Sequence, residues 1–263
     1  SVLPIKKWFE KRLNEEIDLI NNFENIPDNV CFMENIRFFN GENDNDKNLS
    51  EQIAKAFDVY VMDAFATAHR AAASTLGAIK FSKNACSGLL FSEEIKNLES
   101  ALKENKQILS IVGGSKISTK LKVIHNLLPN SSAIVVGGGI ANTFLKAACN
   151  PIGKSIDEDD MLDKAKELLS TNKIVLPKHV YVAETPQSNK VDLIPVEDVP
   201  ENQMILDIEL NENKISQNEE YIIWNGPLGI FEIDKFSNGT KQLIAFLENS
   251  KSKVIAGGGE TLF

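Results

Sequence analysis

The stretch "IVGGSKISTK", Ile111 to Lys120, runs an apolar segment into two glycines and then into two lysines four residues apart. The same theme returns in "SSAIVVGGGIANTFLKAA" (131–148) and "SKVIAGGGETLF" (252–263), while "EYIIWNGPLGIFE" (220–232) reads as a strand ending in a Gly-Pro turn. Strands buried on both faces appear as unbroken apolar runs. Alternating with helices, they imply an α/β chain with a mainly parallel sheet covered on both sides.

Helices follow from spacing. Ile117, Leu121, Ile124 and Leu128 place one apolar stripe behind the first glycine pair, with Ser115 as a candidate cap. Phe91, Ile95, Leu98 and Leu102 form a similar stripe in "SEEIKNLESALKE", with Ser92 as its cap. In "SIDEDDMLDKAKELL" (155–169) the acids come first, which suits the positive end of that segment's own helix dipole. The first part of the chain has a different pattern: a helix-like "LPIKKWFEKRL", an apolar "VCFMENIRFF", the polar "NGENDNDKN" (40–48) and the apolar "FDVYVMDAFA". The polar loop reads as a solvated connection, since it lacks the ligand spacing and terminal glutamate of an EF-hand.

At 263 residues the chain can bury a sizeable core, and two domains are as expected as one. A formal charge of −9 argues against nucleic-acid or membrane partners, so any basic site must be local. Cys31, Cys86 and Cys149 lie in apolar segments at wide spacing and read as buried, reduced thiols, not as a disulfide framework or metal knuckle. No apolar run reaches the roughly 18 residues of a membrane helix, and no signal peptide opens the chain; the expected location is the cytoplasm.

A strand that runs through glycines into a helix brings bare backbone N–H groups to its end. At Gly113 and Gly114 a phosphate could approach those donors and the helix dipole together. The competing reading is that glycine merely permits a tight turn. Three such junctions in one unit favour convergence on a single crevice, because parallel strands end at the same edge. The spacing fits neither a P-loop nor G-x-G-x-x-G, which disfavours a nicotinamide dehydrogenase. Lys116 and Lys120, one helical turn apart, can present two ammonium groups to one phosphate chain. Glu260, after three glycines, is a hard carboxylate suited to Mg²⁺ beside phosphates. Cations, a metal and glycine loops together describe phosphoryl transfer.

The segments "IVGGSKISTKLKVIHNLL", "IVVGGGIANTFLKA", "IGKSIDEDDMLDKAKELL", "IIWNGPLGIFE" and "AGGGET" resemble the phosphoglycerate kinase family in the order that family uses them, and "MENIRFF" and "VYVMDAFATAHRAAAST" resemble its other domain. The resemblance implies reversible transfer of a phosphoryl group between 1,3-bisphosphoglycerate and ADP, with Mg²⁺, giving 3-phosphoglycerate and ATP in glycolysis. It also implies two Rossmann-like three-layer units with mainly parallel sheets, the first incomplete, and a monomer in complete form. Residues 1–88 would be the phosphoglycerate-binding domain, 89–105 a connecting helix and 106–263 the nucleotide-binding domain. By matching motifs Lys116 would stabilise the phosphoryl group in flight and Lys120 would bind nucleotide phosphates. Gly114, Ser115, Gly138 and Gly139 would line the nucleotide site. Asn225, Pro227, Gly229, Ile230 and Glu232 would form the adenosine loop, with Glu232 at the ribose. Gly258, Gly259, Glu260 and Thr261 would meet the phosphates, Glu260 serving Mg²⁺. Arg37 and Arg70 would belong to the basic patch for phosphoglycerate.

The departures from the family pattern are equally definite. Its opening strand with Asp-x-Asn, a further arginine and a His-x-Gly-Arg-Pro loop are not in these residues, nor are its closing helices and last glycine loop. Glu260 stands where the family has aspartate. The sequence therefore looks like an internal portion of the enzyme, and the alternative expectation is a nucleotide-binding fragment without turnover.

Overall fold

The computed structural model describes residues 1–102, 107–216, 219–258 and 261, the Leu102 side chain excepted. The chain divides into two compact units, Ser1–Glu99 and Ser100–Phe263.

The first unit holds α1 (Leu3–Leu13), β1 (Asp18–Ile20), β2 (Cys31–Met33), α2 (Lys47–Lys55), β3 (Tyr60–Met62), α3 (Ala78–Phe81), β4 (Ala85–Ser87) and the start of α4 (Leu89–Leu102). Its strands form two parallel pairs, β1 with β2 and β3 with β4. The core is small: Leu49, Ile53, Ala73 and Ala78 are buried together, with Phe23, Ile36, Phe39 and Tyr60 packed around them. Helix α1 buries no residue, and Trp8 remains 54 % exposed.

Several local expectations change here. Loop 40–48 is not simply solvated, because Glu42 is 4 % exposed and accepts hydrogen bonds from the Ser74 backbone at 3.0 Å and hydroxyl at 2.5 Å. Asp46, from the same loop, caps α2 by accepting from the Leu49 N–H at 2.9 Å. Ser92 is no cap either. Helix α4 begins three residues earlier, Ser92 donates its N–H to the Gly88 carbonyl, and Asp63 from a distant loop accepts the Phe91 N–H at 2.8 Å. Nor is the α4 stripe buried throughout: Phe91 and Leu98 are half-buried and Ile95 is exposed. The cysteines are not buried. Cys86 is exposed on β4, and Cys149 is exposed at a left-handed φ of 64° where the chain leaves a helix.

The second unit carries β5 (Ile108–Val112), α5 (Ile117–Leu127), β6 (Ser131–Val136), α6 (Gly138–Ala147), α7 (Leu162–Leu169) and β7 (Ile174–Val175). It continues with β8 (His179–Ala183), β9 (Asp192–Pro195), β10 (Met204–Ile208), β11 (Tyr221–Asn225), α8 (Asn238–Asn249) and β12 (Lys253–Ala256). Five strands form a wholly parallel sheet in the order β12-β11-β5-β6-β7. Strands β10, β8 and β9 form a separate antiparallel sheet. The unbroken apolar runs have the expected cause: all five residues of the central β5 are buried. Its one polar residue is satisfied, since the Ser110 and Ser131 hydroxyls lie 2.7 Å apart and Ser131 donates to the Leu127 carbonyl. The stripe of α5 is buried at Ile117 and Ile124 and packs Leu121 and Leu128 onto the same core. Each fully buried Leu, Ile or Phe here contributes about 1.5–3 kcal/mol relative to exposure, and the core includes Phe144, Ile134, Ile140, Leu145 and Leu168.

Sheet order places the topological switch between β5 and β11. From β5 the chain winds outward through β6 to β7, whereas β11 and β12 lie on the other side. Ligands of open α/β sheets sit at the carboxyl ends of the strands flanking such a point.

Amide protection should follow this difference in burial. In hydrogen exchange followed by mass spectrometry, peptides covering Val112, Val136 and Ile223 should exchange at least about tenfold more slowly than those covering Phe32 and Val59. Equal rates in the two sets would contradict the burial pattern.

Candidate functional site

At the carboxyl edge of the sheet the loops pack backbone against backbone. The Gly113 N–H donates to the Asn225 carbonyl at 2.9 Å, Gly138 to Leu228 at 2.8 Å, and Ile140 to Gly114 at 3.1 Å. A Cβ on Gly113 would lie 1.9 Å from the Pro227 carbonyl oxygen, and one on Gly226 (φ 97°) would lie 2.3 Å from the Gly113 carbonyl oxygen. No side chain fits at either position. The turn after β12 joins the same assembly: Gly257 donates to the Trp224 carbonyl, while the Thr261 hydroxyl accepts from Gly226 N–H at 2.8 Å and donates to the Gly257 carbonyl at 2.9 Å. The three glycine junctions thus converge, as expected. One expectation changes. The Gly113 N–H is used to lock the loops together and is not a donor held for a phosphate.

Two lysines stand at the start of α5. Lys116 occupies the N-cap position with extended backbone (φ −137°, ψ 127°), so Ser115 is not the cap. Capping comes from elsewhere: the Glu158 carboxylate accepts the Ser118 N–H at 2.9 Å and its hydroxyl at 2.5 Å. Burial opposes the charge on Glu158. The bonds from Ser118 and the Ile117 N–H, with Lys116 nearby, outweigh it and hold the carboxyl below its usual range. Asp159, Asp160 and Asp163 do stand in the first turns of 159–161 and α7, as the sequence suggested, but Asp157 and Asp159 also pair with Lys146, at 2.7 and 2.5 Å. Lys116 is exposed and pairs with no carboxylate among the described residues. Lys120, one turn on, is half-buried and donates to the Asn225 side-chain oxygen. Its stem lies against Gly114.

Beside these loops lies a cavity of ≈ 370 Å³, within the range of small-molecule sites. Gly114, Ser115, Gly138, Gly139, Pro227, Gly229, Ile230 and Glu232 all line it. Lys120, Asn225, Gly258 and Thr261 sit at the neighbouring strand ends. Gly259 and Glu260 lie outside the described residues. Arg37, in a short 3₁₀ turn capped by Asn35, and Arg70 both belong to the first unit, are exposed, and form no ion pair with a described residue.

Further residues complete the cavity: Asn142, Ile156, Pro186, Leu206 and Phe231 among them. Behind it stands Asp207, 1 % exposed, which accepts the Ile208 and Gly239 N–H groups at 2.9 Å each. It joins β10 to the start of α8 and touches the position of Gly229, where a Cβ would lie 2.2 Å from its Oδ1. Burial pushes its carboxyl up to about 7, against those hydrogen bonds and that of Asn238. The only sequence signals were the adjacent Asn142 and Thr143 in "IANTFL" and a lone aspartate in "MILDI". Neither reveals which neighbours it meets.

A doubly wound parallel sheet, with glycine loops meeting at its switch point, defines the class: an α/β protein of Rossmann-like layout. The sequence model of the phosphoglycerate kinase family matches residues 2–263, and the chain belongs to that family. It is 45 % identical over 256 residues to the phosphoglycerate kinase of Francisella philomiragia, covering 93 % of this chain and 65 % of that protein. It is 40 % identical to that of Coxiella burnetii, covering 100 % of this chain and 71 % of the relative. The solved structure of the Coxiella burnetii kinase superposes with a TM-score of 0.85. That of the Pyrococcus horikoshii kinase, 24 % identical, shares the fold with a TM-score of 0.82. The chain thus spans between 65 % and 71 % of the length of the two curated relatives.

Asp207 makes a pH prediction. An unfolded aspartate loses its proton near pH ~4, whereas the folded one holds it up to about 7. The stability this proton supplies is complete below the unfolded value and is lost as pH rises through the folded one. In urea denaturation, the stability of the wild type minus that of Asp207→Asn should therefore fall between pH ~4 and ~7, by at most about 1.4 kcal/mol per unit, and then level off. A difference that stays flat across this window would contradict the assignment.

Proposed function

We propose that this chain provides the nucleotide site and part of the phosphoglycerate site of a phosphoglycerate kinase. The reaction is reversible, Mg²⁺-dependent phosphoryl transfer between 1,3-bisphosphoglycerate and ADP, giving 3-phosphoglycerate and ATP in cytoplasmic glycolysis. The observation that carries the reading is the convergence of Lys116, Lys120, Asn225 and three glycine loops beside one cavity at the sheet's switch point.

ADP would lay its base and ribose along the cavity, with Glu232, exposed at the rim, positioned for ribose hydroxyls. Its phosphates would meet the ammonium groups of Lys116 and Lys120, since the first N–H groups of α5 are already held by Glu158. Lys120 would bind the nucleotide phosphates, and its bond to Asn225 holds the ammonium in place before the ligand arrives. Lys116, without a carboxylate partner among the described residues, is available to neutralise charge on the phosphoryl group as it transfers. Transfer from an acyl phosphate needs no general base. Arg37 and Arg70 would take the phosphate or carboxylate of phosphoglycerate, contacts at which guanidinium is strong.

The donor set suits a cation held mainly by phosphate oxygens and water, as Mg²⁺ prefers. The described residues hold no cluster of three metal-ligating side chains. Gly258 and Thr261, which bracket Glu260 in sequence, are tied to the Asn225–Gly226 turn. Glu260 would then be its protein carboxylate, and the bound ion would supply charge neutralisation.

Calorimetry should find MgADP binding to this chain, and more tightly than 3-phosphoglycerate. The reverse order would argue against the reading. Lys120→Met should weaken MgADP binding by about tenfold or more, as expected for a lost charge-assisted contact. In a version of the enzyme that carries the whole family pattern, assayed by coupling phosphoglycerate-dependent ATP consumption to ADP release, Lys116→Met should lower kcat by about a hundredfold or more with KM for ATP nearly unchanged. Equal small effects of the two substitutions on rate and affinity would refute these roles.

A further inference from the structure

Lys116 holds a position that a lysine suits poorly. It is the N-cap of α5, where an Asp, Asn, Ser or Thr side chain ordinarily accepts one of the free helix N–H groups, and a lysine has no acceptor to offer. Its charge also stands at the positive end of the helix dipole. The missing cap arrives from 40 residues further along the chain: Glu158 takes the Ser118 N–H on Oε2 at 2.9 Å and the Ser118 hydroxyl on Oε1 at 2.5 Å. The Ile117 N–H bonds to the same carboxylate.

Glu158 is itself held from α6. Three side chains of that helix bind the segment 156–159: the Asn142 amide donates to the Ile156 carbonyl at 3.1 Å, the Thr143 hydroxyl accepts the Glu158 N–H at 3.2 Å, and Lys146 pairs with Asp157 and Asp159. The start of α6 also meets the loop before Lys116. There the Ile140 N–H donates to the Gly114 carbonyl, and a Cβ on Gly139 would lie 2.2 Å from the Ser115 carbonyl oxygen. Lys116 is thus bracketed, since the loop before it rests on α6 and the turn after it is tied to a carboxylate that α6 carries. Its own carbonyl accepts the Thr119 hydroxyl at 2.8 Å. Both Glu158 oxygens are turned to Ser118, so the carboxylate lies near enough to feel the Lys116 charge and yet forms no ion pair with it.

We propose that Glu158 is a positioning residue for Lys116: by capping α5 from α6, with both oxygens occupied by Ser118, it fixes the backbone from which the Lys116 ammonium is presented and leaves that ammonium unpaired for the transferring phosphoryl group. This rests on the role proposed above for Lys116 and adds to it the group that sets it. A cation that compensates charge in the transition state must be placed closely, because a displacement of about 1 Å can cost roughly a hundredfold.

The test is a double-mutant cycle on kcat, in a version of the enzyme that carries the whole family pattern, with Glu158→Gln, Lys116→Met and both together. Glu158→Gln replaces one acceptor by an NH₂ donor that Ser118 cannot use as the carboxylate is used. It should lower kcat by about tenfold or more with Lys116 present, and by no more than about twofold in the Lys116→Met background, because its effect passes through that lysine. MgADP affinity of this chain, measured by calorimetry, should change by less than about twofold. An equal loss of rate in both backgrounds, no loss with Lys116 present, or an affinity that falls in step with the rate would overturn the proposal, since each is what a merely structural cap would give. If Lys116→Met alone left kcat unchanged, the proposed role of Lys116 would fall and this inference with it. A Lys116→Met loss without a Glu158→Gln loss would sink only the inference. Should Glu158→Gln fail to fold, Ser118→Ala decides: it keeps the N–H bond but frees Oε1 to pair with Lys116, so kcat should fall by about fivefold or more, again only when Lys116 is present, and an unchanged kcat would refute the role.

Discussion

Everything at the site depends on one constraint: three loops meet at the carboxyl edge of the parallel sheet with no side chain between their backbones. The Gly113 N–H on the Asn225 carbonyl and the Gly138 N–H on the Leu228 carbonyl fix the loops after β5, β6 and β11 relative to one another. The cavity, the two lysines and the Asn225 side chain are all placed by that contact. Glycine serves here less as a ligand-binding residue than as the condition for close approach. Where a backbone N–H is already committed to a neighbouring loop, it cannot also cradle a phosphate.

The charge distribution follows from the same arrangement. A chain of formal charge −9 can keep two lysines clear of carboxylate partners at one place because nearby acids are engaged elsewhere. Glu158 caps α5 through Ser118, and Asp157 and Asp159 pair with Lys146. Asp207 lies behind the cavity wall, fastened to the start of α8. Lys116 and Lys120 are thereby left to act outward, one exposed and one held by a neutral amide. Net charge says little about such a site, since interactions beyond a Debye length of about 8–10 Å are largely screened.

The two units differ in how much of their structure the sequence revealed. In the second, strands buried on both faces could be found from unbroken apolar runs, and β5, β6, β11 and β12 lie where those runs predicted. In the first, the strands are three residues long and partly exposed, and a turn containing a buried glutamate resembled a solvent loop. The caps were misread for a related reason. Ser92 and Ser115 stand where local capping is expected, yet Asp63 and Glu158, 28 and 40 residues from their partners, supply the acceptors. Local pattern cannot register a carboxylate arriving from another loop.

By itself the sequence determined the α/β class, the glycine junctions at strand ends, the helical spacing of Lys116 and Lys120 and, through its motifs, membership of the phosphoglycerate kinase family. These properties are local or additive along the chain, and periodicity and residue type suffice to read them. Only the tertiary structure decided which backbone donors are already used, that Lys120 leans on Asn225, and that Asp207 and Asn142 stand behind and within the cavity. Lys120 and Asn225 are 105 residues apart, and Asp207 and Gly239 are 32 apart. Contacts at such separations exist only once the sheet order brings strand ends together, and nothing in the local composition of either partner encodes the other.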